Sequence, residues 1–162
     1  MSEAVGVVDA SPLIALAEIA QLELLPRLFA SVIVPPAVIA ETTTSVGQPA
    51  WFVIVPPVPP LDHRVRVASL GAGETETIGL GLQLGDVEVV LDDRPARRLA
   101  IRMGLAVVGT LGLLLRAKWH GILDAVRPHL LALRSSEFYP DSRIIEQALA
   151  DVGESLEGIE TV

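Results

Sequence analysis

Cysteine is absent from the 162 residues. Thiol nucleophiles, thiolate zinc sites and disulfide frameworks are excluded with it. Aromatic residues make up only 4%, too few for a platform that binds single strands by stacking their bases. Positive charge is also scarce, with 12 Lys and Arg against 20 Asp and Glu for a net charge of −8. That balance argues against a protein that coats nucleic acid through a general basic field. It does not exclude a nucleic-acid enzyme whose own acids are neutralised by metal ions. Long apolar runs are lacking too. The longest uncharged one, Met103 to Leu115, falls well short of the roughly 20 residues of a membrane span. The N-terminal stretch has no basic leader and is interrupted by Asp9 and Glu18. A soluble, cytoplasmic protein with no membrane partner is therefore expected.

What is present is apolar. At 51% hydrophobic residues, the chain has enough to bury a substantial core, and its length suits one domain. Short β-branched runs alternate with helical stretches, which indicates an α/β fold with a mainly parallel sheet. Strands are expected at "VGVV" (Val5–Val8), "SVIV" (Ser31–Val34), "WFVIV" (Trp51–Val55), Val87–Leu91 and Leu105–Val108, the third central or at an edge. Ser11-Pro12 reads as the start of the first helix, with Ser11 as its cap. "LELLPRLF" is a second helix, kinked or restarted near Pro26, and Pro35-Pro36 opens a third that runs to about Thr42. "PPVPP" (Pro56–Pro60) is a stiff surface connector. "GETETIGLGLQL" (73–84) is a helix with Ile78, Leu80, Leu82 and Leu84 inward, and its Gly79 and Gly81 imply close packing against a neighbour. Further helices are expected at Arg94–Met103, around 111–118 and 121–133, and from Ser142 to Asp151 with Gly153 as its cap. The domain is expected to span 1–153, with 154–162 a flexible tail.

Six acidic residues matter against this frame. Ligands of parallel sheets gather beyond the carboxyl ends of the strands. Asp9 follows the first strand there, and Asp92-Asp93 follow "VEVVL". Glu41 closes "PPAVIAE" near a helix C-terminus, where the helix dipole disfavours a negative charge. Glu74 and Glu76 open a helix, where acids are favoured in any case. Asp93 is placed to cap the helix that begins at Arg94-Pro95. Carboxylates brought to one point repel and raise one another's pKa values, a cost that a hard divalent cation relieves. Oxygen donors without histidine or cysteine suit Mg²⁺ or Mn²⁺ better than zinc. His63, His120 and His129 show no paired spacing with the acids. Arg94, Arg98 and Arg102 recur every four residues and form one helical face leading away from the aspartate pair; they are either phosphate contacts or a solvated face. Thr110, after Gly109, either caps its helix or touches a phosphate. Arg116 and Lys118 are further candidates for backbone contact.

"VVDASPLIALAEI", "VIVPPAVIAE", "GAGETETIGLGLQLG" and "VVLDDRPARRLAIRMGLAVVGTLGLLLRAKWHGIL" together resemble a PIN domain. They are most similar to the branch in which "GEAEAIALA" precedes "LDDxxAR" and "GTLGxLLxAK". The resemblance runs from about Val5 to Gly153. It implies a three-layer α/β/α sandwich and a nuclease similar to the VapC-type toxins of toxin–antitoxin pairs. Its first acid matches Asp9 and its central glutamate Glu41. The third, usually an aspartate, matches Glu76, with Glu74 as the nearby alternative. The fourth matches Asp92-Asp93, with Asp92 the preferred ligand. Gly79 and Gly81 stand where the branch has alanines. The implied activity is Mg²⁺- or Mn²⁺-dependent hydrolysis of RNA, with an antitoxin as possible partner. "GTLGLLL" is either core or part of the homodimer face such domains commonly form. A PIN-fold module that binds nucleic acid or protein without turnover is the alternative. A phosphoacceptor receiver domain fits less well, because its aspartate pair follows the first strand rather than a later one.

Overall fold

The computed structural model describes residues 3–133 and 141–155. Its centre is a sheet of β1 (Val5–Val8), β2 (Ser31–Val34), β3 (Phe52–Ile54), β4 (Glu88–Val90) and β5 (Ala106–Val108). All five strands are parallel, in the order β3-β2-β1-β4-β5. The central strands are near-continuous apolar runs because both of their faces are covered. Successive side chains point to opposite faces, so Val8, Val90, Val32 and Val34 enter one core while Val7, Val89, Leu91 and Ile33 enter the other.

The first core is closed by α1 (Ala10–Glu18), α2 (Leu24–Leu28), α7 (Thr110–Trp119), α8 (Arg127–Leu133) and α9 (Ser142–Asp151). The second is closed by α4 (His63–Arg66), α5 (Ala72–Leu84) and α6 (Arg94–Arg102). The result is the expected three-layer α/β/α sandwich. The seven-residue α3 (Pro36–Thr42) packs against both α1 and α5, and this places it beside the carboxyl ends of the strands.

Several local expectations are revised. The first helix begins at Ala10, so Asp9 rather than Ser11 occupies the cap position. Pro26 does not kink α2, because it falls in the first turn, where its missing N–H is not needed. β3 is an edge strand. Leu84 is exposed, because the last turn of α5 runs past the sheet. By contrast, Gly79 and Gly81 do pack closely. A Cβ at each would lie 2.8 Å from Leu61 and 2.7 Å from Val89 respectively. α8 is shorter than expected, because Gly121 turns the chain with a positive φ and the helix opens only at Arg127-Pro128. Leu113 and Leu114 of "GTLGLLL" are in the core. Glu154, the first residue of the expected tail, bonds the Val126 and Arg127 amides at 2.8 and 2.9 Å and Lys118 at 3.1 Å. Residues 156–162 of that tail lie outside the described residues. Among the described residues no helix is long and apolar enough to cross a membrane.

Candidate functional site

Strand order reverses between β1 and β4: β2 and β3 lie to one side and β5 to the other. Such a switch point opens a crevice beyond the strand ends. The two flanking strands deliver Asp9 and Asp92 to it. The Asp9 amide donates to the Val90 carbonyl at 3.1 Å, and the Leu91 amide donates to the Val108 carbonyl at 2.9 Å. The sheet's own ladder thus sets the two acids side by side.

Asp9 is 1% exposed, and neither of its carboxylate oxygens has a hydrogen-bond partner. Burial pushes its pKa up to about 7. The neighbouring Ala10 amide opposes the shift by proximity without hydrogen-bonding geometry, and the charges of Glu74, Glu41 and Asp92 add to it. The side chain thus occupies a helix cap position without capping.

The other acids are held by backbone. Glu41, in the last turn of α3, accepts from the Gly73 amide at 3.0 Å. Gly73 lies in the first turn of α5, and a Cβ there would stand 2.8 Å from Glu41 Oε1 and 3.0 Å from Asp9 Oδ1. Only glycine lets the helix come this close to both carboxylates. Asp92 accepts from the Thr110 amide at 2.8 Å and from its hydroxyl at 2.6 Å. Thr110 is therefore the partner that orients Asp92. Asp93 caps α6 by accepting from the Ala96 amide at 3.0 Å.

The two glutamates of α5 diverge. Glu74 is among the charges acting on Asp9 and lines the main cleft. Glu76 instead accepts from the Ala37 amide, in the first turn of α3, at 2.8 Å. The structure therefore brings Asp9, Glu41, Glu74 and Asp92 together and turns Glu76 towards a neighbouring helix.

The cleft measures about 1100 Å³ and runs from Glu74, Asp92 and Thr110 to Arg143 and Gln147 of α9. Arg94 and Arg97 line it, whereas Arg98 and Arg102 line a separate shallow groove with Leu70 and Ile101. Arg97 was missed by the every-four spacing. Its signal lay in Ala96 and Ala100, the buried stripe of α6. At 100° per residue, Arg94 and Arg97 fall to one side of that stripe, Arg102 to the other and Arg98 directly opposite it. Arg97 also donates to the Leu91 carbonyl at 2.8 Å. Arg116 is taken up by Glu88, at 2.6 and 2.9 Å, and Lys118 by the Asp124 carbonyl and Glu154.

The donor set is all oxygen, which fits a hard cation of the Mg²⁺ or Mn²⁺ type. Asp9, buried and unpartnered, is the group such a cation would satisfy. Among the described residues, no three acidic or imidazole side chains already stand at the spacing of one ion's ligands. No curated protein and no solved structure matches the chain, whereas a family model described as a PIN domain matches residues 5–154. Over nearly its whole length, then, with its acids at the switch point of a parallel three-layer sandwich, the chain belongs to the PIN domain family and has that family's nuclease-like fold.

Proposed function

We propose that the protein is a divalent-metal-dependent nuclease that hydrolyses RNA phosphodiester bonds, with Asp9, Glu41, Glu74 and Asp92 as its metal-holding acids. The observation that carries this reading is Asp9, whose two buried oxygens have no partner while the charges of Glu74, Glu41 and Asp92 act on it. These acids would hold Mg²⁺ or Mn²⁺, which when bound would supply Lewis-acid polarisation of the phosphodiester and a more acidic water. The Gly73 amide orients Glu41, and Thr110 orients Asp92. Glu74 has no hydrogen bond among the described residues and lines the cleft, so the one of its two oxygens not engaged by a cation takes the proton as water attacks phosphorus, while the leaving oxygen is protonated by solvent as its ester bond breaks. Arg94 and Arg97 draw the substrate phosphates to the cleft. Thr110, whose hydroxyl is spent on Asp92, acts on the metal side rather than on phosphate.

Incubation of purified protein with RNA and Mn²⁺ or Mg²⁺ tests this. Cleavage is expected, lost in chelator and lost in Asp9→Asn. Equal cleavage by wild type and variant would point to a contaminant and sink the proposal. A second reading is a module that binds RNA without cutting it, in keeping with there being, among the described residues, no three acids at one ion's spacing. Binding of RNA by wild type without any product, at saturating Mn²⁺, would select it.

The setting we propose is a toxin–antitoxin pair. Expression of the chain alone should arrest growth. Co-expression with a small DNA-binding-type protein encoded beside it should relieve the arrest, and failure of every neighbouring frame to do so would remove the toxin role.

A further inference from the structure

Glu41 and Glu76 cap each other's helices. The first-turn amides of a helix have no partner within it. α3 opens on Pro35-Pro36 without any side-chain cap from its own segment. Pro36 has no N–H, so the first donor α3 presents is the Ala37 amide, and Glu76 of α5 accepts from it at 2.8 Å. About one turn later α3 returns the contact, with Glu41 accepting from Gly73 in the first turn of α5 at 3.0 Å. Two bonds of opposite sense thus join the same two helices. A seven-residue helix is too short to be stable by itself, and sliding α3 along α5 would break one bond or the other.

We infer that Glu76 is a positioning residue: through α3 it fixes where Glu41 stands in the acid cluster, and it binds no metal itself. This rests on the metal-site reading above. Its charge is then dispensable and its acceptor oxygen is not. Glutamine keeps the acceptor, and alanine removes it.

The test pairs two readouts on the full chain: Mn²⁺ affinity by titration, and hydrogen exchange at the Gly73 and Ala37 amides. Because those amides lack intrahelical partners, their protection reports the two caps directly. Glu76→Gln should keep wild-type Mn²⁺ affinity and Gly73 protection. Glu76→Ala should speed exchange at both amides and lower Mn²⁺ affinity about tenfold, the usual scale for losing a group that supports a ligand. Glu74→Gln should lower affinity by at least as much and leave both amides protected. If Glu76→Gln weakens Mn²⁺ as Glu74→Gln does, Glu76 is a ligand and the inference is overturned. It is equally overturned if Glu76→Ala leaves Gly73 exchange at the wild-type rate. Should wild type bind no Mn²⁺ at all, the metal reading fails, and the exchange comparison still decides the reciprocal cap.

Discussion

A buried aspartate with a raised pKa makes the protein sensitive to pH in a definite direction. The unfolded chain gives up this proton near the ordinary aspartate value, about 3.9, whereas the folded one holds it until about 7. Between those values the folded state binds the extra proton, so its stability falls as pH rises and levels off above the folded pKa. A shift of this size is at most about 4 kcal/mol at 1.36 kcal/mol per unit. In chelator, denaturant unfolding from pH 4.5 to 7.5 should therefore show Asp9→Asn gaining stability relative to wild type, and a difference independent of pH would remove the assignment. Mn²⁺ should stabilise wild type most at the upper end of that range, because it favours the ionised form. Gly73 offers a complementary case. Alanine there raises helix propensity by about 1 kcal/mol, yet its Cβ would press on Glu41 and Asp9. Gly73→Ala should unfold at wild-type temperature or within a few degrees of it while Mn²⁺ affinity drops about tenfold. Unchanged affinity would mean that the helix start yields freely. The strand-end rule brought Asp9 and Asp92 into view from sequence alone. It did not separate Glu74 from Glu76, two residues apart near the start of one helix, Glu74 in its first turn and Glu76 just beyond it. That choice depends on where α3 lies, and no local pattern encodes it.

At the level of elements, the adjacent aspartates divide their work between two helices. Asp93 caps α6 through Ala96, and Asp92 is fastened to the start of α7 through Thr110. Replacing a cap aspartate with alanine typically costs about 1 kcal/mol. Asp93→Ala should therefore lower the midpoint of unfolding and leave RNA cleavage near wild type. Asp92→Asn should do the reverse, and comparing unfolding curves with turnover for the two variants checks both. Equal loss of turnover would return Asp93 to the metal set. The capping role of Asp93 was legible because an aspartate before Arg-Pro is a helix start in any context. The start of α1 was read one step late for the same kind of reason: Ser11-Pro12 carries a start signal, but the strand already ends at Val8 and leaves Asp9 at the cap. Leu84 was misjudged because helical spacing gives the direction of a side chain and not the extent of the sheet beneath it.

At the scale of the molecule, a net charge of −8 meets a polyanionic substrate in a cleft whose lining cations are Arg94, Arg97 and Arg143. Layering and strand direction were readable from the alternation of short apolar runs with helices, whereas the strand order, and with it the switch point, was not. The distribution of charge was not, because ion pairs form across the fold: Arg116 meets Glu88 from 28 residues away and Lys118 meets Glu154 from 36. Arg94 and Arg97 line the cleft with the acids, and Arg143 of α9 lines it too. Single-stranded nucleic acid releases counterions with a slope of about −0.7 per phosphate neutralised. Two or three contacts therefore predict a log–log salt slope of about −1.4 to −2, shallow for a nucleic-acid-binding protein. The measurement is RNA binding by Asp9→Asn across salt concentrations at fixed Mn²⁺. In that background Arg94→Ala should reduce the slope by about 0.7, whereas Arg98→Ala, in the separate groove beyond α6, should leave it unchanged. A slope that falls equally for both would place the RNA across the outer face of α6 instead of in the cleft. The even spacing of Arg94, Arg98 and Arg102 would then describe the track after all.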